Sequence, residues 1–232
     1  RPNPLNCGNS LTEAHMPLAI FDLDETLIAE DSDHAWGVYV AEHGLVDPIE
    51  HQRRNDEFYA QYKAGQLDIN AYLAFACSVL AAHPINLLQE HRAKFVDERI
   101  RPVVLSAGQS LVDAHKANGD TVLIITSTIE FVTRPIADLF GIKTLIAPTP
   151  QIADNRYTGN IVGVPSFGPG KVTRLQAWLG ETGESMDGAY FYSDSHNDLP
   201  LLRLVDHPIA VDPDPLLRAE AEAQQWKILS LR

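Results

Sequence analysis

Apolar runs of strand length, each closing on a polar cluster, recur along this chain and set its rhythm. "LAIFDL" (18–23), "TVLIIT" (121–126) and "AYFYSD" (189–194) are rich in β-branched, aromatic and aliphatic residues, and each ends on a hydroxyl or carboxylate. "TLIAPT" (144–149), "PIAVD" (208–212) and "KILSL" (227–231) read as strands by the same pattern. Between them "EFVTRPIADLF" and "GKVTRLQAWL" place apolar residues at helical spacing. Strands alternating with helices predict an α/β fold, a doubly wound parallel sheet with both faces covered.

The stretch 32–105 follows another period. "HAWGVYVAEHG", "PIEHQRRNDEFYAQYKAG", "DINAYLAFACSVLAAH" and "PINLLQEHRAKFVDERI" all show helical spacing, with breaks at Gly44, Gly65 and Pro84. This predicts an inserted helical bundle over 32–105, dividing a core made of 16–31 and 106–232. Its aromatics, Trp36, Tyr39, Phe58, Tyr59, Tyr62 and Tyr72, read as bundle core. "ADNRYTGNIVGV" (153–164) reads as a β-hairpin turning near Asn155. Residues 1–15 lack the apolar stretch of a signal peptide, and Met16 offers a natural start, so 1–15 read as an arm outside the fold.

Composition narrows the partners. Thirty-one acidic against 18 basic residues give a formal charge of -13 over 232 residues, a surface that repels nucleic acid and anionic lipid. No apolar run approaches the roughly 20 residues of a membrane helix. Cys7 and Cys77 have no metal or redox spacing and read as reduced thiols of a cytoplasmic protein. The nine histidines are scattered without zinc-ligand spacing and read mostly as surface residues.

The chemistry lies at the strand ends, where open parallel sheets bind ligands. Asp22, Asp24 and Thr26 follow the first strand, Thr126 and Ser127 the second, and Asp194 to Asp198 the third; Lys171 opens a helix after "SFGPG". Clustered carboxylates suit a hard divalent cation such as Mg²⁺, which takes one or two of them together with phosphate oxygens. One aspartate can then act as a nucleophile, a second as general acid and base, while a hydroxyl and an ammonium hold phosphoryl oxygens. "GPGK" is not a nucleotide-binding loop: Pro165 stands where that loop needs glycine and Val172 where it needs Ser or Thr. Thr126 on its own is the end of a β-branched strand, and Ser127 or Thr128 would replace it one step further along.

"DLDET", the strand-ending "IIT", the lone lysine of "GK" and "SDSHND" resemble, in order and approximate spacing, the four motifs of the haloacid dehalogenase superfamily. The helical insert resembles that of its phosphoserine-phosphatase-like branch. The resemblance covers the chain from Met16 and implies a Rossmann-like core with a helical cap. It implies that Asp22 is nucleophile and metal ligand and that Asp24 is acid/base and also binds the metal through its backbone carbonyl. Thr126 and Lys171 would bind phosphate, Asp194 would complete the Mg²⁺ site, and Asn197 and Asp198 would support substrate and metal. The family's fourth motif usually has glycines where Ser193 and Ser195 stand, a departure that makes close backbone approach harder. His196, inside that motif, reads as a bystander.

The inserted block is expected to select the substrate, a small phosphomonoester. Asp31 and Asp33 lie just past the first strand, where the chain leaves for the insert; in phosphoserine phosphatases an acidic residue matching Asp31 meets the substrate amine, and a plain helix cap at Asp31 to Asp33 explains it equally well. Arg54, with Arg53, is a candidate for a substrate carboxylate or phosphate, or a solvated helix residue. The whole sequence also resembles bacterial proteins of this branch described as histidinol-phosphatases, and the acidic strand-end loop fits a cationic ester such as histidinol phosphate. Phosphoserine or another small metabolite, a phosphotransferase or mutase, and a non-catalytic protein of the same fold are the alternatives.

Overall fold

The computed structural model describes residues 16–232; the arm 1–15, including Cys7, lies outside the described residues. In chain order the strands are β1 (Leu18–Phe21), β2 (Thr121–Ile125), β3 (Thr144–Ile146), β4 (Thr149–Ala153), β5 (Arg156–Val162), β6 (Tyr190–Ser193), β7 (His207–Val211) and β8 (Lys227–Leu229). Six of them form one sheet in the order β3-β2-β1-β6-β7-β8. Every neighbouring pair in it is parallel.

Side chains of β1 alternate between two buried layers, which is why its sequence is an unbroken apolar run. Ala19 and Phe21 join one cluster with Ile124 and Tyr192, while Leu18 and Ile20 join the other with Leu123 and Phe191. The chain leaves β1 for β2 on one side and returns to β6 on the other. The crevice between β1 and β6 is therefore the switch point of the sheet, and the polar clusters after β1, β2 and β6 open beside one another there. "TLIAPT" proves to be two elements: only Thr144–Ile146 enters the sheet, and Thr149 begins the hairpin.

The helices are α1 (Ser32–Glu42), α2 (Pro48–Lys63), α3 (Ile69–Ala82), α4 (Ile85–Phe95), α5 (Ser106–Asn118), α6 (Glu130–Leu139), α7 (Pro169–Thr182), α8 (Leu199–Leu202) and α9 (Pro215–Gln224). The first four make the insert. Asp31, Asp47 and Asp68 cap α1, α2 and α3 by accepting N–H groups of their first turns. The breaks are as spaced: Gly44 and Gly65 take φ of 70° and 67°, open to glycine at little cost, and Pro84 separates α3 from α4. No single helix among the described residues is long and apolar enough to cross a membrane.

The hairpin β4–β5 turns through Asp154 and Asn155, both left-handed at φ 49° and 57°, as a two-residue hairpin turn requires. It does not stand apart. β5 lies along α3, and the Tyr157 ring meets Phe131 edge-on at 5.7 Å. Two of the scattered histidines are exceptions to their reading as mostly surface residues, being buried. His51 stacks on Phe75 at 4.5 Å, and His115 is held between Asp120 at 2.6 Å and the Tyr192 hydroxyl at 2.8 Å.

Close approach of α1 and α2 depends on Gly37. A Cβ there would sit 2.4 Å from the Asn55 amide oxygen, and Asn55 is fixed because its Nδ2 donates to the His34 carbonyl at 2.9 Å. Gly37→Ala is expected to cost about 1–3 kcal/mol through overpacking. That would appear as a melting temperature lower by a few degrees; an unchanged melting temperature would mean the two helices have slack this geometry does not show.

Candidate active site

β1 ends at Phe21, and the next carboxylate stands at the mouth of the switch-point crevice. The Asp22 N–H continues the ladder by donating to the Tyr192 carbonyl at 2.9 Å, which fixes its backbone. Lys171, in the first turn of α7, reaches in with 2 % of its surface exposed and donates to Asp22 Oδ1 at 2.8 Å and to Asp198 Oδ2 at 2.8 Å. Burial works against this ammonium, but the carboxylates of Asp198 and Asp22 hold it above the usual lysine range. Burial pushes Asp22 upward, with Lys171 opposing.

Asp24 is turned differently. Its Oδ1 accepts from the Ser32 N–H at 2.8 Å and its Oδ2 from the Thr128 hydroxyl at 2.8 Å. Burial, and then the charge of Asp31, raises it to about 7. A carboxyl poised near neutrality is suited to give and take a proton. Thr128 was noted in the sequence only as a neighbour of Thr126; no local pattern ties it to a carboxylate more than a hundred residues away.

Asp194, after β6, is locked to the first loop in both directions. Its N–H donates to Thr26 Oγ1 at 3.1 Å, and that hydroxyl donates back to Asp194 Oδ1 at 3.2 Å. Burial, then the charges of Asp22 and Asp198, holds Asp194 well above the usual carboxylate range. The two serines in place of glycine are put to use: Ser193 Oγ donates to Asp198 Oδ2 at 2.7 Å, and Ser195 Oγ accepts the Asn197 N–H at 3.2 Å. Ser166, not picked out from the sequence, donates to the Thr126 carbonyl at 2.7 Å, and its own carbonyl accepts the Ser127 hydroxyl at 3.1 Å.

A cavity of about 530 Å³, counted to its open mouth, lies over these strand ends. Asp22, Asp24, Asp31, Thr126 and Ser127 line it directly. Lys171, Asp194 and Asp198 stand close behind Asp22, and Asn197 donates to the Tyr62 carbonyl at 3.4 Å, where the insert meets the core. His196 is tied to Asp214 at 2.7 Å and packs toward Gly65. Asp31 caps α1 through Oδ1, which accepts from Asp33 and His34, and also faces the cavity, so the two readings of it coexist.

Two expectations change. Arg54 does not line the cavity: it is exposed, with its guanidinium over the rings of Phe58 and Phe75 at 5.6 and 4.9 Å. Of the six aromatics assigned to bundle core, Trp36 and Tyr39 are buried there, but Phe58, Tyr59, Tyr62 and Tyr72 line the cavity. Of the four expected metal ligands, Asp198 is hydrogen-bonded by Lys171 and Ser193, and the carboxylate of Asp24 by Ser32 and Thr128, which leaves its backbone carbonyl for a metal. Among the described residues no three His, Cys, Asp or Glu side chains form a ready-made cage. A buried donor set of carboxylates without His or Cys still fits a hard cation held by two of them, Asp22 and Asp194, with solvent and phosphate oxygens completing it.

A family model for haloacid dehalogenase-like hydrolases matches residues 19–203, and the chain belongs to that family. It is an enzyme of the phosphatase class. Over 93% of its length it is 47% identical to a protein of Neisseria meningitidis serogroup C named histidinol-phosphatase, 99% of which is covered. A crystal structure of a protein with unknown function from Bordetella pertussis Tohama I is similar at TM-score 0.89 and 42% identity, over 94% of this chain and 100% of that one. A substrate-bound phosphoserine phosphatase shares the fold at TM-score 0.69 and 17% identity, with 95% of each chain covered.

Removing the lysine should expose how the site is held. Lys171→Met leaves the Asp22 and Asp198 carboxylates buried without their cation, at an expected cost of about 3–5 kcal/mol. Urea unfolding measures it, and a loss below about 1 kcal/mol would show that the buried pair does not hold the strand ends together.

Proposed function

We propose that this protein hydrolyses a small, cation-bearing phosphomonoester, of which histidinol phosphate is the leading candidate, through a phosphoryl group carried on Asp22. The observation that carries the reading is the pairing of two carboxylates with unlike partners. Asp22 is gripped by the Lys171 ammonium, whereas Asp24, two residues away, is hydrogen-bonded by Ser32 and Thr128; burial pushes both up to about 7.

The substrate phosphate would enter between Asp22 and the 126–127 turn, where Thr126 and Ser127 line the floor. The Asp22 carboxylate attacks phosphorus, the ester P–O bond breaks, and the departing oxygen takes the proton of Asp24. Water then enters, loses a proton to the Asp24 carboxylate, and attacks the same phosphorus; the Asp22–phosphorus bond breaks and inorganic phosphate leaves. Lys171 sits where it can offset charge on the phosphoryl oxygens while orienting Asp22. Mg²⁺, held by Asp22 and Asp194 with Asp24 beside them, would supply charge neutralisation for the same oxygens.

The helices over 32–105 act in this reading as a cap. They roof the cavity with Phe58, Tyr59, Tyr62 and Tyr72, and beside the strand ends Tyr62 ties them to the core, its hydroxyl donating to Ser195 Oγ at 3.3 Å. Such a roof keeps bulk water from the covalent intermediate until the alcohol has left. The substrate assignment rests on charge: Asp31 adds a carboxylate to the cavity beyond Asp22 and Asp24, and the lining contains no Lys or Arg. The relative named histidinol-phosphatase agrees with it.

Phosphate release from histidinol phosphate, phosphoserine and an aryl phosphate tests this reading, each with Mg²⁺ and with EDTA. Metal-dependent turnover with histidinol phosphate foremost is expected. Asp22→Asn should lower that turnover by more than about 1,000-fold in a folded protein. Transfer of phosphate to an added alcohol without release to water would instead favour a phosphotransferase, and wild-type rates in Asp22→Asn would remove the nucleophile assignment.

A further inference from the structure

The cavity holds one carboxylate that the proposed chemistry does not use. Asp33 lies in the first turn of α1, two residues past the cap, with 7 % of its surface exposed, and it lines the cavity. Asp31, by contrast, has Oδ1 occupied by the N–H groups of Asp33 and His34. Among the described residues no backbone N–H, lysine or arginine donates to the Asp33 carboxylate; the neighbours that face it are the phenol of Tyr72, from α3, and the hydroxyl of Thr128, whose proton goes to Asp24. A carboxylate taken out of water without a cation is costly, and here the cost is borne inside a cavity open to ligand.

The walls beside it point to what would meet it. Tyr72 meets Phe58 edge-on at 5.3 Å, and Tyr59 stacks on His34 at 4.6 Å, so ring faces and edges border the acidic pocket. Carboxylate and aromatic ring together suit a flat nitrogen heterocycle that can donate N–H or carry positive charge. A simple alkylammonium would be satisfied by Asp31 alone.

We propose that Asp33 and Tyr72 form a second nitrogen subsite, which takes the heteroaromatic N–H of a substrate whose amine is met by Asp31. The substrate class is then a phosphomonoester carrying both a primary amine and an imidazole-like ring, and Asp33 is a specificity-determining residue. This rests on the active-site reading given above and extends it from a cation-bearing ester to one with two nitrogen functions.

Asp33→Asn and Tyr72→Phe, both close to isosteric, test it in two measurements. The first is the ratio of kcat/KM for histidinol phosphate to that for phosphoethanolamine, which has the amine without the ring. Asp33→Asn should lower this ratio about ten-fold or more, and Tyr72→Phe should lower it less. A merely structural role would depress both substrates together and leave the ratio within about three-fold, which overturns the inference. The second is calorimetric binding of histidinol, free of phosphate, to wild type and Asp33→Asn. Weaker binding to the variant supports the subsite even if wild type fails to hydrolyse histidinol phosphate, an outcome that would sink the substrate assignment alone. Efficient hydrolysis by wild type with equal histidinol binding by both proteins would overturn the subsite and leave that assignment standing.

Discussion

Lys171 is buried between two carboxylates, 2.8 Å from Asp22 and 2.8 Å from Asp198, and the rest of the site is arranged around that contact. An ammonium in the interior needs partners of opposite charge, and here they come from the end of β1 and from the turn after β6. One side chain thus joins three segments far apart in sequence. Gly170 lets it in: a Cβ there would lie 2.0 Å from the Pro165 carbonyl oxygen, so only glycine admits this approach of α7 to its preceding loop. Asp22, Asp194 and Asp198 outnumber the lysine, an acidic excess that a bound cation would offset.

The cluster "AIFDLDETLIAED" is resolved by separating its acids in space. Asp22 goes to Lys171, Asp24 to Ser32 and Thr128, and Asp31 to the N-terminus of α1, where a carboxylate is favoured by unpaired N–H groups and the helix dipole. Glu25 takes a left-handed φ of 56°, a conformation costly for a non-glycine residue, and its N–H donates to the Glu30 carbonyl at 3.2 Å as the chain turns away from the sheet. Repulsion among Asp22, Asp24 and Asp31 becomes a division of labour once each has its own donors.

How much of this could be read from residues alone follows from the range of the forces involved. β1, β2 and β6 were legible because a strand buried on both faces must be apolar throughout, and the polar residue ending each run marks the ligand edge. The caps and breaks of the insert were legible because they are local. Thr128, Ser166 and Asp33 were not, since each acquires its significance from a partner or cavity that only the fold supplies. The aromatics of α2 and α3 misled for a related reason: helical spacing shows that one face is covered, not whether protein or ligand covers it. Arg54 was chosen by chemistry and lost by position, on the exposed side of its helix.

The central claim is that phosphorus becomes bonded to Asp22. Acid quenching during turnover of histidinol phosphate, followed by digestion and mass spectrometry, would test it most directly. A borohydride-reducible phosphoryl adduct on the peptide bearing Asp22, absent from the D22N variant, is the expected result. Turnover without any such adduct, or an adduct on another residue, would contradict the account.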